Sequence, residues 1–264
     1  MHKAILFIIC LLFTHVYAGH AVTDRKPTVH HTLTHRPDVI YQGSPVEVVY
    51  DGQVVYYIGV DLRAATGTRA VKWNMATDTF EILERVKPVE TFHIPEKMGG
   101  DTASSSATLV RTLQNDNAKL AHIQTDKRKL WTRAFRLPLA SSTVTDTYGY
   151  DRATTGQVIS HKGTDYRAAV GTSVYAMNSG FVRIAHRYSD YGGTVVIDHG
   201  QGVQTFYMHM SKLKVKPGQK VKSGQLIGLS GNTGYALGPH LHLTVRVHDV
   251  SVDPQLFMDL KSIK

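Results

Sequence analysis

The sequence predicts an all-β protein in which two β modules are joined by one helix. Three observations predict this architecture. Short runs rich in β-branched residues fill both halves of the chain, turn residues such as glycine separate them, and one segment between the halves has leucines at helical spacing. The chain has 264 residues, of which 42% are hydrophobic and 19% are charged. This is the composition of a globular protein that can bury a sizeable core.

The N-terminus is predicted to be a signal peptide, residues 1–18. Lys3 precedes ten apolar residues, from Ala4 to Phe13, and Val16 and Ala18 form a small-residue cleavage pattern. Ten apolar residues are too few to span a bilayer, and a buried N-terminal helix is the less favoured interpretation. No other long apolar run occurs in the sequence. We therefore expect an exported protein, periplasmic or secreted, without a stable membrane anchor.

The single cysteine and the positive charge restrict the chemistry of the exported chain. Cys10 lies inside the predicted signal, so the mature chain has no thiol, and a metal site must use His, Asp or Glu. The signal carries one Lys and no acidic residue, so its removal lowers the net charge from +9 to +8. Such a charge favours acidic partners. Export argues against nucleic acid and fits an anionic envelope polymer, although solubility explains the charge equally well.

The first part of the mature chain is predicted to be a small β-sandwich-like module. Residues 19–38 are rich in His and Thr, and we expect an irregular leader there. Residues 39–96 contain the β-rich runs VEVVY and QVVYYIGV on either side of Asp51-Gly52, which is a strong hairpin signal. No group of catalytic residues is visible in this module.

A linker and a helix are predicted over residues 97–133. The segment KMGGDTASSSA has the composition of a linker, and Leu109, Leu113 and Leu120 then recur at helical spacing, which indicates core contact. Residues 134–264 return to short β-rich runs with frequent glycine. They leave little room for a helix, and we expect a compact all-β domain.

The residues that suggest chemistry are imidazoles and one carboxylate in this second β domain. The strand GPHLHLTV places His240 and His242 on one face, because alternate residues of a strand share a face. SHKGTDYRAAVGT supplies His161 and Asp165, and YMHMS supplies His209. A zinc site for hydrolysis needs three protein ligands and one open position, which two imidazoles and a carboxylate can provide. The spacing leaves open whether one or both strand histidines bind the metal.

Other hydrolytic motifs are missing from the sequence. It contains neither an HExxH helix nor a GxSxG elbow, and the mature chain has no cysteine for thiol catalysis. The segment VVIDHGQG adds Asp198 and His199. We expect both of these residues to have structural roles.

Residues 147–254 resemble the M23 family of zinc metallopeptidases, the lysostaphin-type peptidoglycan endopeptidases. HKGTDYRAAVGTSVYAMNSGFV is similar to the family's HxGxD motif and the strands after it, and GPHLHL is similar to its terminal HxH motif. The resemblance implies an antiparallel β-sheet with a substrate groove. It implies that His161, Asp165 and His242 bind Zn²⁺, whereas His209 and His240 lie beside the activated water and move protons.

The function implied by this resemblance is zinc-dependent hydrolysis of peptide cross-links in bacterial peptidoglycan. The expected bond is D-Ala–meso-diaminopimelate, and a glycine bridge is the narrower alternative. A non-catalytic relative that activates other cell-wall hydrolases would lack one or more of the five site residues, which are all present here. VKPGQKVKSGQLIG is similar to hairpins of lipoyl- and biotin-carrying domains, but the recognisable setting of the modified Lys is absent. The sequence does not specify an oligomeric state.

Overall fold

The computed structural model describes residues 40–41, 46–50, 53–57, 59–62, 64–73, 76–82, 89–140 and 143–258. The predicted signal peptide and leader lie outside these residues. The chain divides into two compact units, the first formed by residues 1–86 with 259–264 and the second by residues 87–258. Among the described residues, no helix combines the length and apolar character needed to span a membrane. The domain limits drawn from the sequence stay a prediction.

The first unit contains five described strands. They are β1 (Ile40–Tyr41), β2 (Val46–Tyr50), β3 (Gln53–Tyr57), β4 (Gly67–Trp73) and β5 (Ala76–Ile82). β2 and β3 pair antiparallel up to Tyr50↔Gln53 and so flank Asp51-Gly52, which confirms the predicted hairpin. β4 pairs antiparallel with β5 and parallel with β1.

Within the described residues, the second unit contains two α-helices, a short 3-10 helix (Glu96–Met98) and fourteen strands. The α-helices are α1 (Ala103–Leu120) and α2 (Pro254–Met258). The strands are β6 (Val89–Thr91), β7 (Val144–Asp146), β8 (Asp151–Thr154), β9 (Gln157–Ser160), β10 (Thr164–Arg167), β11 (Ser173–Tyr175), β12 (Gly180–Tyr188), β13 (Gly192–Gly200), β14 (Val203–Met210), β15 (Lys212–Leu213), β16 (Lys220–Val221), β17 (Leu226–Leu229), β18 (His240–Val247) and β19 (Val250–Val252).

Helix α1 begins inside the segment that has the composition of a linker. The Thr102 hydroxyl accepts a hydrogen bond of 3.1 Å from the backbone N–H of Ser105, which caps the helix and fixes its start. Leu109 and Leu120 are buried and Leu113 is half-buried, so the leucine spacing predicted both the helix and its packed face.

The main sheet of the second unit has eight strands. Its order is β16-β12-β13-β14-β18-β10-β7, with β19 added beside β18, and neighbouring strands run antiparallel. Three-stranded sheets of order β11-β17-β15 and β6-β8-β9 complete the unit. β6 lies within residues 39–96, which the sequence analysis assigned to the N-terminal module. In the structure it hydrogen-bonds to β8, which lies about sixty residues downstream. The predicted all-β fold class is confirmed.

The core of the second unit lies on both faces of β13 and β14, whose residues are all buried. Leu120 at the end of α1 packs against Val196 and Phe206 on one face. Phe135 packs edge-on against His199 and against the α2 residue Phe257. Because β14 is packed in this way, β18, which pairs with it, is held in a fixed place.

Asp198 and His199 have the structural partners that the sequence analysis expected. The buried Asp198 carboxylate accepts hydrogen bonds from Arg183, from the Thr125 hydroxyl and from the backbone N–H groups of Asp126 and Gly200. Burial lowers the pKa of His199 to about 4, so this imidazole is neutral at neutral pH. The Asp198 contacts tie the segment after α1 to the sheet.

Candidate metal centre

The register of two neighbouring strands brings the candidate ligands together. Asp165 on β10 is directly opposite His242 on β18, and Arg167 is opposite His240. Residues that face each other across an antiparallel pair lie on the same side of the sheet. Asp165, His240 and His242 therefore share one face. His161 reaches them from the loop that leads into β10.

Three side-chain atoms converge at this place. Asp165 Oδ1 lies 2.6 Å from His242 Nδ1 and 3.2 Å from His161 Nε2, and the two nitrogens are 3.2 Å apart. All three residues are buried. Zinc bonds of about 2.0–2.1 Å in a tetrahedral site separate the ligand atoms by about 3.3 Å. The two separations from His161 Nε2 are close to that geometry, and the 2.6 Å between Asp165 Oδ1 and His242 Nδ1 is shorter than it.

The hydrogen bonds around the cluster indicate where the imidazole protons lie. His161 Nδ1 donates to the Thr147 carbonyl at 2.7 Å, so His161 Nε2 carries a lone pair. The Thr244 hydroxyl donates to the Lys162 carbonyl and therefore accepts from His242 Nε2, at 3.0 Å in each case. This leaves a lone pair on His242 Nδ1. Both lone pairs are directed at the Asp165 carboxylate.

The protonation states make the cluster a site for a cation. Burial lowers the pKa of His242, which disfavours a proton on its inner nitrogen. The Arg152 guanidinium donates to Asp165 Oδ2, which favours the ionised carboxylate. With both imidazoles in these tautomers, three buried acceptors face one another, and a cation satisfies all of them. The residues present fit a zinc ion.

A glycine permits the close approach of the loop to β18. A Cβ at Gly163 would collide with the His242 ring and with the Leu243 carbonyl oxygen. Any side chain at this position would therefore displace His242. The glycine of the HKGTD segment has a packing role at the metal cluster.

His209 and His240 stand beside the three converging residues. His240 Nε2 is 3.8 Å from Asp165 Oδ1, farther than the nitrogens of the other two histidines. His240 Nδ1 donates to the Gly238 carbonyl and His209 Nδ1 to the Thr233 carbonyl, each at 2.8 Å. The two rings are 4.7 Å apart between centroids. In each ring, Nε2 therefore carries the lone pair and can accept a proton.

His209 occupies a β-bulge with a left-handed backbone. Its φ is +59°, a region that costs a non-glycine residue about 1–3 kcal/mol. Between the pairs Gly193↔Met210 and Val195↔Tyr207, β14 contains one residue more than β13. The extra residue breaks the regular alternation of side chains along β14. Burial, with the charges of the neighbouring imidazoles, lowers the pKa of His209 to about 3.

The sequence analysis missed the residues that orient the candidate ligands. Thr244 lies two residues after His242, so the strand alternation could have placed it on the same face. Thr147 acts through its backbone carbonyl, which leaves no signal in the sequence. Arg152 donates to Asp165 Oδ2 at 3.2 Å, and none of the motifs in the sequence analysis includes it.

Comparison with known proteins identifies relatives of this part of the chain. Residues 159–254 match the model of Peptidase family M23. Peptidoglycan DD-endopeptidase ShyA of Vibrio cholerae is 50% identical over 88 residues, which are 33% of this chain and 20% of ShyA. The chain therefore spans about a fifth of the length of this relative.

Solved structures give similar matches. The catalytic domain of lysostaphin from Staphylococcus simulans is 33% identical, and the match covers 45% of this chain and 92% of that domain with a TM-score of 0.41. A Pseudomonas aeruginosa structure described as peptidase M23 is 24% identical, and the match covers 81% of this chain and 83% of that one with a TM-score of 0.58. At this identity the second match shows the fold alone.

The two histidines of the HLH segment are predicted to differ in metal retention. His242→Ala removes one of three converging atoms and should retain little zinc after dialysis. His240→Ala removes a ring that lies outside the three converging atoms, and this variant should keep about one equivalent of zinc. Elemental analysis of the dialysed proteins measures both. Zinc well below one equivalent in His240→Ala would make His240 a ligand.

In a regular strand, a glycine variant is usually less stable than an alanine variant. At the bulge we predict the reverse order for two variants of His209. Glycine reaches a φ of +59° without the Cβ penalty, so His209→Gly should be more stable than His209→Ala by about 1–2 kcal/mol. Denaturant unfolding measures the difference. Thr205→Gly and Thr205→Ala provide the control in a regularly paired part of β14, where glycine should be the less stable. If alanine is the more stable at both positions, the bulge is not strained.

Proposed function

This chain belongs to peptidase family M23 through residues 159–254, and on that premise we propose that it is a zinc-dependent endopeptidase that hydrolyses peptide cross-links of bacterial peptidoglycan. The observation that carries the proposal is the convergence of three buried lone-pair atoms, on His161, Asp165 and His242. The name of ShyA, a peptidoglycan DD-endopeptidase, supports the substrate class.

The ligands of the zinc ion are proposed to be His161 Nε2, Asp165 Oδ1 and His242 Nδ1. When bound, zinc supplies a Lewis acid that polarises the scissile carbonyl and acidifies water. Three protein ligands would leave one coordination position open for this chemistry, as in other catalytic zinc sites. Thr147 and Thr244 hold the outer nitrogens of the two imidazoles, which fixes the direction of their lone pairs.

His209 and His240 are proposed to move protons at Nε2. Each ring is held by a hydrogen bond from Nδ1 to a backbone carbonyl, so Nε2 is the nitrogen that can accept a proton from water. Because burial lowers the pKa of His209 to about 3, this ring is neutral before the reaction. Once protonated, either ring can steady the negative charge that develops on the carbonyl oxygen and return the proton to the leaving amine.

The bond proposed to be cleaved joins D-Ala to meso-diaminopimelate in cross-linked stem peptides. The DD-endopeptidase name of ShyA favours this bond over a glycine bridge. Such a substrate requires export, in line with the predicted signal peptide over residues 1–18. The net charge of +9 for the whole chain suits an anionic cell-wall polymer.

A non-catalytic role as activator of other hydrolases is not favoured. Such a protein has no need for an intact cluster of zinc ligands. Here the three ligand residues converge within 3.2 Å of one another, and both proposed proton-transfer residues stand beside them.

Digestion of purified muropeptides tests the proposed function. Dimers cross-linked through D-Ala and meso-diaminopimelate should be split into monomers with the gain of one water, as measured by mass spectrometry. A chelator should abolish the reaction and added zinc should restore it. Dimers joined by glycine bridges are the control substrate and should stay intact. If the zinc-loaded protein leaves both dimers intact, the endopeptidase proposal is wrong.

A further inference from the structure

Arg152 binds the oxygen of Asp165 that does not face the histidines. Its Nη2 donates to Asp165 Oδ2 at 3.2 Å and to Asp146 Oδ2 at 2.9 Å, while its Nε donates to the Tyr150 hydroxyl at 2.6 Å. Arg152 lies on β8, outside the main sheet, whereas Asp146 and Asp165 lie on the neighbouring strands β7 and β10. One guanidinium therefore joins three strands at the edge of the candidate metal centre.

Two aromatic rings hold the guanidinium of Arg152 in place. Its Cζ lies 5.5 Å from the centroid of the Phe92 ring and 5.3 Å from that of the Tyr150 ring. Contacts of this kind with aromatic faces attract a cation and favour a planar guanidinium over an ammonium. The Arg152 side chain is 23% exposed, so its three hydrogen bonds are largely shielded from water.

A second arginine–aspartate pair in the same unit shows what differs at Asp165. Asp198 accepts hydrogen bonds on both oxygens, Oδ2 from Arg183 and a backbone N–H, and Oδ1 from Thr125 and a backbone N–H. The whole Asp198 carboxylate thus stabilises the fold. At Asp165, Oδ2 is held by Arg152, whereas Oδ1 faces two imidazole lone pairs.

We propose that Arg152 is a positioning residue that makes Asp165 a ligand through one oxygen. By holding Oδ2, it directs Oδ1 alone toward His161 and His242. A carboxylate free of this contact can bind a metal through both oxygens and fill the position that hydrolysis requires to be open. The inference rests on the proposed function, because it concerns the same metal centre.

Cobalt substitution tests this inference independently of peptide cleavage. The visible absorption of Co²⁺ is intense in four-coordinate sites and weaker when coordination expands. Arg152→Met should bind one cobalt, because all three ligands remain, but its visible absorption should be weaker than that of the unaltered protein. Its kcat/KM on muropeptides should fall roughly 10–100-fold, the usual effect of losing a partner of a metal ligand. Arg152→Lys keeps the charge without the planar fork and should give an intermediate spectrum.

Arg183→Met is the matched control. Arg183 is 29% exposed and pairs with Asp198, so this variant also loses an arginine–aspartate pair, but at a distance from the cluster. Its cobalt spectrum should equal that of the unaltered protein. A native spectrum in folded Arg152→Met would overturn the inference, and so would a native spectrum in Arg152→Lys if the Met variant fails to fold. Failure of the unaltered protein to bind cobalt or zinc would instead refute the proposed metal centre itself.

Discussion

The second unit depends on one electrostatic constraint, the meeting of three buried acceptors without a proton between them. His161 Nε2, His242 Nδ1 and Asp165 Oδ1 lie 2.6–3.2 Å apart, and the outer hydrogen bonds of both rings leave lone pairs on the inner nitrogens. Lone pairs so close and so buried repel one another. A cation among them removes this repulsion, so the account predicts that metal binding stabilises the folded protein.

Features that are far apart in the sequence bring these three acceptors together. The register between β10 and β18 places Asp165 opposite His242, and Gly163 lets the preceding loop lie against the His242 ring. The left-handed backbone at His209 concentrates strain at the same place, as functional sites often do. Such strain persists because the buried strands β13 and β14 around it are tightly packed.

The sequence predicted the parts of the fold and of the site that follow from the periodicity of residue types. Alternation along GPHLHLTV put His240 and His242 on one face, and leucine spacing predicted α1. Periodicity could not separate the roles of the two histidines, because that separation depends on a carbonyl at Gly238 and a hydroxyl at Thr244. The bulge at His209 was also hidden, since left-handed positions are usually glycine. Long-range pairings such as β6 with β8 have no local signal in the sequence.

The most direct test of this account is the identity of the nitrogens that bind the metal. Protein labelled with nitrogen-15 and loaded with cadmium-113 shows a one-bond coupling for each nitrogen bound to the metal. The account predicts two couplings, to Nε2 of His161 and to Nδ1 of His242. A coupling to His240 or His209, or to the outer nitrogen of either proposed ligand, would contradict it.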